Sequence, residues 1–396
     1  MPWKVSSVMD ERSEFVRLAA AGVLSVAELC RRFGISRDTG HRLLRRHAAL
    51  GAAGLADGSR RPHHSPLRAS GEMEARVLEV RAAHPAWGGR KIARRLRDLG
   101  VECVPAPSTV IEILRRHGRL DPAQSASRRP FQRFERGEPN ALWQMDFKGH
   151  FGLGQGRCHA LTVLDDHCRY ALGLRACANE TRATVQAELT AIFRRYGLPD
   201  AMLADNGPPW GVTGHKGAVS ALEVWLMRLG IAMLHGRPRH PQTQGKDERF
   251  HRTLGVELLQ HNHFADHAAA QAGFDAWRRI YNEQRPHEAL DLAVPASRYN
   301  PSPRSFPEAL PEPEYDEADS IRRVDAKGYF SFKGIQWHTS EALARQTIAL
   351  RPTQTNGVWN IFFSRFRVGQ IDLANPKAPR QPVRHVSEHL SDLSPV

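Results

Sequence analysis

The sequence predicts a multidomain protein with helical units at the N-terminus, an α/β region with a mixed sheet in the middle, and a small β-barrel at the C-terminus. Three observations support this fold class. Two patterns of helix, short turn and basic helix precede residue 120. Strand-like alternation, followed by alternating helices and strands, fills residues 141–300. Short strands with the hairpin signal Thr355-Asn356-Gly357 follow residue 320.

The first helical pattern, at residues 10–50, is typical of a helix-turn-helix. Ser36 fits the N-cap of its basic helix, although Gly40 inside that helix weakens helix propensity by about 1 kcal/mol. A second pattern of the same kind spans residues 68–120. Tandem units would place two basic helices along a DNA duplex, and a helical bundle that does not touch DNA stays open as the alternative.

The positive charge of the chain is concentrated near the N-terminus. The formal net charge is +14, the isoelectric point is about 10.1, and residues 1–130 alone carry +11. A basic segment of this kind most often meets a polyanion, because each phosphate that it neutralises releases condensed counterions. Nucleic acid is therefore the expected partner, and a basic surface that is merely solvated is the alternative.

Two further features limit the class of protein. No apolar run approaches the ~18 residues of a membrane span, and the first residues lack the apolar stretch of a secretory signal. We therefore expect no membrane contact and a soluble protein inside the cell. The five cysteines are odd in number and form no Cys-x-x-Cys pair, so neither a disulfide framework nor a zinc site is expected.

Residues 136–300 are the predicted α/β domain. Strands are expected at 142–148, 158–164, 170–174, 201–204 and 231–234. A helix with an apolar stripe from Val185 to Tyr196 precedes the fourth strand, and a helix carrying Leu222 and Leu226 precedes the fifth. After an acidic, proline-rich stretch at 301–320 that indicates a solvated linker, we expect the small β-barrel at 320–375 and a tail at 376–396.

Three carboxylates in this region have positions that suggest chemistry. Asp146 lies on the first strand and projects from the face opposite Trp143, because side chains alternate along a strand. Asp205 ends a later strand, and ligand sites in such sheets gather at strand ends. Glu248 lies in the first turn of a helix and points away from the apolar stripe that begins at Phe250.

Convergent carboxylates suit hard divalent cations, since Mg²⁺ prefers oxygen ligands and leaves positions for phosphate oxygens. Two such ions about 4 Å apart can activate an attacking hydroxyl and stabilise the leaving oxygen of an in-line displacement. Taken singly, each acid has a simpler interpretation: Asp205 as a turn former, and Glu248 as a solvated residue or an ion-pair partner of Arg252. Asp165 and Asp166 are expected to be hairpin-turn residues.

Three segments together resemble the integrase-type DDE transposases of bacterial insertion sequences, whose core has a ribonuclease-H-like fold shared with retroviral integrases. They are Leu-Trp-Gln-Met-Asp-Phe around Asp146, Leu-Ala-Asp-Asn-Gly around Asp205, and the run 237–254 around Glu248. The stretch 281–290 resembles the sequence that usually follows such cores. The resemblance covers about residues 10–300, and it implies that the central α/β domain is a ribonuclease-H-like mixed sheet.

The resemblance also implies an activity. Asp146, Asp205 and Glu248 would be the catalytic residues and metal ligands of a polynucleotidyl transferase that uses two Mg²⁺ ions per site, with Mn²⁺ as a substitute. The enzyme would bind the ends of its element and catalyse strand cleavage and strand transfer into target DNA. The implied setting is a homo-oligomer on double-stranded DNA in a bacterial cytoplasm, associated with the nucleoid.

The same resemblance makes basic residues near the helical units and the third acid candidates for DNA contact. These are Arg37, Arg42, Arg45, Arg46, Arg90, Lys91, Lys246, Arg249 and Arg252.

Two departures from the family pattern accompany the resemblance. The gap between Asp205 and Glu248 holds 42 residues, longer than is usual, and we expect the excess in a loop at 208–217. Asp247 replaces an apolar residue often found beside the Glu, so two adjacent acids compete for the third position, and the frame Glu-Arg-Phe-His-Arg selects Glu248. Two rival functions are an inactivated or domesticated transposase that acts as a DNA-binding regulator, and a nuclease that cuts without joining.

Overall fold

The computed structural model describes residues 7–58, 68–120, 136–211, 219–236, 245–375 and 381–382. Several expectations lie outside these residues, namely those for the linker at 121–135, most of the loop at 208–217, the motif residues 237–244 and most of the tail at 376–396. The chain divides into two compact units, residues 1–68 and residues 69–396.

The first unit is a bundle of the helices α1 (Val8–Ala20), α2 (Val26–Arg32) and α3 (Arg37–Leu50). Ser36 caps α3 as the sequence predicts, since its hydroxyl accepts the Thr39 N–H at 3.1 Å. Phe15 and Leu29 lie in the buried core of the bundle. A short 3₁₀-helix, Gly51–Leu55, packs its buried Leu55 into the same core.

The second unit begins with three more helices, α4 (Gly71–Ala83), α5 (Gly89–Asp98) and α6 (Pro107–Arg116). Trp87 and Ile92 are fully buried in their shared core, and Ile280 from the α/β region packs against it. Arg95 of α5 also donates a hydrogen bond to Gln284 Oε1 at 3.2 Å. These helices therefore contact the α/β region through apolar packing and a hydrogen bond. The sequence-based domain boundaries within residues 69–396 stay a prediction.

A five-stranded mixed sheet forms the centre of the second unit, as the sequence predicts. Its strands are β1 (Trp143–Gly152), β2 (Arg157–Asp165), β3 (Ala171–Cys177), β4 (Ala201–Ala204) and β5 (Ala232–His235). The order is β3-β2-β1-β4-β5, with β1, β2 and β3 antiparallel and β1, β4 and β5 parallel.

In the described part of this region, helices cover both faces of the sheet: α7 (Arg182–Tyr196), α8 (Ala221–Arg228), α9 (Gly245–Leu254) and α10 (His267–Glu283). Helix α9 continues as a π-helical turn, Gly255–Leu259. On one face Trp143 and Met145 pack with the apolar sides of α7 and α8. On the other face Phe250 of α9 and Phe274 of α10 pack on β2 and β3. Because side chains alternate along β1, Asp146 projects toward the layer that holds α9.

Residues 301–319 contain no helix or strand, but they are not the solvated linker that their composition predicts. The Arg304 guanidinium donates to the carbonyls of Leu229 and Gly230 at 2.9 and 3.0 Å, and Phe306 packs against the sheet core. Arg228 of α8 in turn donates to the Leu310 carbonyl at 3.1 Å. The expectation was wrong because the partners of this segment lie far away in sequence, where composition gives no sign of them.

The C-terminal region consists of short strands: β6 (Ser320–Arg323), β7 (Tyr329–Phe332), β8 (Ile335–His338), β9 (Thr347–Pro352), β10 (Val358–Phe363), β11 (Phe366–Asp372) and β12 (Gln381–Pro382). Gly357, with φ +81°, closes the predicted β9–β10 hairpin. One sheet has the order β11-β10-β9-β6 and the other β12-β8-β7.

The two C-terminal sheets share one apolar core, in which Phe332, Trp337 and Ile361 are buried. Among the described strands no ladder joins the two sheets, so the expected β region is confirmed and its closure into a barrel is not. Within the same ranges of the chain, no helix combines the length and the hydropathy needed to cross a bilayer.

Candidate active site

Asp146 lies within β1, and Asp205 directly follows the carboxyl end of the adjacent parallel strand β4. In the β1–β4 pair Gln144 is opposite Leu203, so the same register carried two residues further places Asp146 opposite Asp205. Neighbouring strands lie about 4.8 Å apart, which brings the two carboxylates into one electrostatic field. The structure therefore gathers two acids that are 59 positions apart in the sequence.

Glu248 belongs to α9, and its charge acts on Asp146. Its side chain is exposed, whereas Phe250 and Leu254 of that helix are buried. Its charge is one of those that raise the pKa of Asp146. Arg252 is exposed and forms no ion pair with Glu248 in the described part of the chain, which leaves the simpler ion-pair interpretation without support.

Burial is the main reason that the pKa of Asp146 is raised to about 6. The Phe147 N–H donates to Asp146 Oδ1 at 2.8 Å and opposes that rise, while the charges of Asp205, Glu180 and Glu248 add to it. An ionised Asp146 is thus costly in the protein alone. A nearby cation would reverse this cost, because opposite charge favours the ionised form.

The donor set fits a hard divalent cation, although the acids are not drawn tightly together. Within the described residues, no three His, Cys, Asp or Glu side chains form a group that could hold a metal ion. Three carboxylates with mutually repelling charges are nevertheless the oxygen ligands that Mg²⁺ or Mn²⁺ prefers. Asp146, Asp205 and Glu248 are the residues that would hold it.

The acids beside this cluster have other surroundings. Asp165 and Asp166 are both fully buried; Asp166 lies in the turn after β2, as expected, whereas Asp165 is the last residue of β2 itself. Asp166 accepts from Gln144 Nε2 at 2.6 Å and pairs with the Lys246 ammonium of α9. The ion pair of Lys246 with Asp166 thus links the start of α9 to the β2–β3 turn. Contact of Lys246 with DNA stays a prediction.

Asp247 and Glu248 are adjacent but differ completely in environment. Asp247 is 1% exposed, and neither of its carboxyl oxygens has a hydrogen-bond partner among the described residues. Burial raises the pKa of Asp247 well above its ordinary value, and the charges of Asp146 and Asp166 add to the shift. Of the two acids, Glu248 is the one whose carboxylate is open to solvent and to a substrate.

A histidine supports the segment that carries Asp205. His235 Nδ1 lies 3.0 Å from the Asp205 carbonyl oxygen, and its Nε2 lies 2.9 Å from Glu223 Oε1. Burial alone would lower the pKa of His235, but its hydrogen bonds to Glu223 and to Asp205 outweigh burial, so the pKa is raised. Trp210, whose ring centroid is 5.6 Å from that of Phe147, packs the following turn against β1.

A second histidine stands beside Asp146. His251 Nε2 lies 2.9 Å from the Thr162 hydroxyl, which donates to the Asp146 carbonyl oxygen at 3.0 Å. Burial lowers the pKa of His251 to about 4, with a further contribution from Lys148. Sequence reasoning missed both histidines, although the position of His251 three residues after Glu248 was a usable signal.

The basic residues expected to contact DNA are arranged in three groups. Arg37, Arg42 and Arg45 are exposed on α3, whereas the half-buried Arg46 donates to the Ala56 carbonyl. Arg90 is exposed and Lys91 half-buried in the first turn of α5. Arg249 and Arg252 are exposed on α9, close in sequence to Glu248. Their roles in DNA binding stay predictions.

Comparison with known protein families agrees with this architecture. Two models described as integrase core domain match residues 136–241 and 229–295, which together span the sheet and the three acids. The model of the C-terminal domain of IS481 family transposases matches residues 319–379. The central α/β region is therefore similar to integrase cores. Models of a helix-turn-helix domain and a homeodomain-like domain match residues 11–63 and 39–114.

The chain is also similar to two uncharacterized insertion element proteins. It is 30% identical over 160 residues to that of IS407 from Burkholderia multivorans, a match that covers 40% of this chain and 55% of the relative. It is 28% identical over 273 residues to that of IS476 from Xanthomonas euvesicatoria, covering 67% of this chain and 75% of the relative. The chain therefore spans about half the length of the first of these proteins.

Solved retroviral structures are similar at a lower level. A simian T-cell lymphotropic virus intasome in complex with the PP2A regulatory subunit B56 gamma has 13% identity and a TM-score of 0.38, covering 72% of this chain and 91% of that one. The HTLV-2 integrase catalytic core in complex with magnesium has 14% identity and a TM-score of 0.31, covering 41% and 97%.

Proposed function

We propose that this protein is a transposase that binds the ends of its insertion sequence and catalyses metal-dependent DNA strand cleavage and strand transfer. The observation that carries the proposal is the placement of three acids from separate segments in one electrostatic cluster. The β1–β4 register sets Asp146 opposite Asp205, and Glu248 of α9 adds its charge to the field at Asp146. Such a cluster on an integrase core fits phosphoryl transfer.

Two in-line displacements would follow at this site. Water attacks a phosphodiester at the element end, the bond from phosphorus to the 3′ oxygen breaks, and a 3′-OH is freed. That 3′-OH then attacks a target phosphodiester, which forms a new phosphodiester and releases a target 3′-OH. Two Mg²⁺ ions, or Mn²⁺, would activate the attacking oxygen and stabilise the leaving oxygen.

The protein's own groups orient the carboxylates for this role. The Phe147 N–H holds Asp146 Oδ1, and the Asn206 N–H holds Asp205 Oδ1 at 2.7 Å. The second oxygen of each carboxylate remains for a ligand. No covalent bond between protein and DNA is needed, so no Ser or Tyr nucleophile takes part.

The rest of the chain would supply DNA binding and assembly. The helical units, with their exposed arginines, would hold double-stranded element ends, and the C-terminal β region would act as the small barrel that follows integrase cores. Two ends must be processed together, so we infer a homo-oligomer on DNA. The setting would be a bacterial cytoplasm, in association with the nucleoid.

The test uses the purified chain, Mg²⁺ and labelled DNA that spans the flanks of the gene, with products resolved on a denaturing gel. Asp146→Asn, Asp205→Asn and Glu248→Gln should each lower cleavage and joining by about 1,000-fold or more, which is the scale of single catalytic groups, while end binding is kept. The matched control is Asp200→Asn, an exposed acid just before β4 that pairs with Arg304 at the surface.

Each outcome separates the candidate functions. Normal strand transfer by any triad variant would remove that residue from the active site. Specific end binding without cleavage by the wild type would favour the DNA-binding regulator. Nicking without joining would favour the nuclease.

A further inference from the structure

A chain of hydrogen bonds connects the helix that carries Glu248 to the strand that carries Asp146. His251 Nε2 on α9 lies 2.9 Å from Thr162 Oγ1 on β2, and that hydroxyl lies 3.0 Å from the Asp146 carbonyl oxygen on β1. Thr162 is the residue opposite Asp146 in the β1–β2 ladder. Three elements of the site are thus joined by two hydrogen bonds through one fully buried side chain.

The donor and the acceptor in each of these two hydrogen bonds follow from the protons that each group carries. A threonine hydroxyl has one proton, and Thr162 gives it to the Asp146 carbonyl oxygen. The hydroxyl must therefore accept from His251, which places the imidazole proton on Nε2. Nδ1 of the same ring then carries a lone pair and lies 4.0 Å from Asp146 Oδ2. It donates nothing to the carboxylate, so Asp146 Oδ2 stays available for a ligand while Oδ1 accepts from the Phe147 N–H and the backbone carbonyl accepts from Thr162.

The other contacts of α9 do not determine its rotation to the same degree. Phe250 and Leu254 pack α9 against the sheet, but apolar packing is not directional and leaves the rotation of the helix about its axis loosely defined. A hydrogen bond weakens steeply when its distance and angles leave a narrow range. Because His251 lies three residues after Glu248 and on the same side of the helix, a fixed His251 also fixes the direction in which Glu248 projects.

We propose that the Thr162–His251 hydrogen bond is the positioning contact that sets the separation of Asp146 and Glu248, and with it the affinity of the site for a divalent cation. This inference rests on the proposed function, since it assigns His251 and Thr162 to the support of the same acids. Residues that orient ligands from outside the metal's own coordination typically change metal affinity 10- to 100-fold when they are removed.

The experiment measures Mn²⁺ binding to the full-length chain by the loss of the free-ion signal in electron paramagnetic resonance, without any assay of activity. Thr162→Val keeps the shape of the side chain and removes the hydroxyl, and it should weaken Mn²⁺ binding about 10-fold or more. Thr162→Ser restores the hydroxyl and should recover most of the affinity. Thermal unfolding and DNA-end binding confirm that each variant is folded.

Substitutions of His251 test which ring nitrogen matters. The amide nitrogen of Gln can reach the position of Nε2, whereas that of Asn reaches only the position of Nδ1. His251→Gln should therefore keep Mn²⁺ affinity near that of the wild type, and His251→Asn should weaken it to the same extent as Thr162→Val. The double variant Thr162→Val/His251→Asn should be no weaker than either single variant, because both remove the same hydrogen bond.

The outcomes are separable. Wild-type Mn²⁺ affinity in folded Thr162→Val, or retention in His251→Asn together with loss in His251→Gln, would overturn the positioning role. Nitrogen hyperfine coupling to bound Mn²⁺ in pulsed resonance spectra would overturn it in favour of direct ligation by Nδ1. If the wild type shows no saturable Mn²⁺ binding that Asp146→Asn removes, the proposed function itself fails.

Discussion

At the scale of single residues, the direction of a side chain decides its role more than its type does. Asp247 and Glu248 are adjacent acids, yet a helix turns about 100° between them, so one points into the sheet and the other to solvent. The buried acid has no hydrogen-bond partner among the described residues. Buried acids without hydrogen-bond partners are costly, and such groups are typical of sites where function takes precedence over stability.

Asp146 permits a direct test of that cost. Its pKa in the folded protein is raised from 3.8 to about 6, so the folded state binds more protons than the unfolded state between those values. The resulting stability is present below pH 3.8 and is lost as the pH rises through about 6. In EDTA, Asp146→Asn should therefore unfold at a higher denaturant concentration than the wild type at pH 7, with a smaller difference at pH 4.

Chemical denaturation at several pH values measures this difference. Adding Mn²⁺ at pH 7 should stabilise the wild type and leave Asp146→Asn unchanged, because only the wild type binds the ion. A difference in stability that does not vary with pH would mean that Asp146 carries no burial cost.

At the scale of elements, α10 protects the edge of the sheet. β3 is an edge strand, and Asn282 accepts from the Ala171 N–H at 2.8 Å while Gln271 accepts from the Ala176 N–H at 2.9 Å. Arg278 donates to the Ala171 carbonyl between them. Polar residues spaced along one helix face thus satisfy backbone groups that would otherwise be open to another chain.

In the first unit, Gly40 shows how element packing overrides helix propensity. A Cβ at this position of α3 would lie 2.4 Å from Cys30 Sγ and 3.0 Å from Phe15 Cζ. Gly40→Ala should therefore reduce the hydrogen-exchange protection of α1 to α3, even though alanine favours an isolated helix by about 1 kcal/mol. Cys30→Ala added to Gly40→Ala should recover part of the protection, since it removes the nearest atom. Unchanged protection in Gly40→Ala would show that α3 can move away without cost.

At the scale of the whole molecule, acidic and basic functions are separated along the chain. The net charge is +14, yet at the candidate site the negative charges of Asp205 and Glu248 both act on Asp146. A basic protein attracts DNA over distances beyond direct contact, while the acidic cluster repels phosphate unless cations are bound. DNA binding and metal binding are therefore expected to depend on each other.

The helical units should account for much of the salt dependence of end binding. Arg42→Gln/Arg45→Gln on α3 should weaken binding and reduce the slope of log affinity against log salt by about 1 for each phosphate that is no longer neutralised. Arg17→Gln, an exposed arginine of α1 that is paired with Glu14, is the matched control and should leave the slope unchanged. Fluorescence anisotropy between low and moderate salt measures both. Equal slopes for the double variant and the wild type would remove these two arginines from the DNA interface.

The sequence by itself determined the order of the elements, because hydrophobic periodicity and caps are local properties. The strand at 201–204 has the predicted bounds, and the cap at Ser36 and the Thr355-Asn356-Gly357 hairpin are confirmed. The three acids could be named from their positions in the predicted elements together with the family resemblance of their local sequences. That they perform catalysis stays a prediction.

Only the tertiary structure decided which residues meet across long sequence distances. The placement of residues 301–319 against the sheet, the pairing of Lys246 with Asp166 and the support of Asp146 by Thr162 and His251 all join distant segments. Such contacts depend on side-chain direction and on the register of neighbouring strands. Neither leaves a periodic signal in the sequence, because a hydrogen bond between two elements needs only one residue on each.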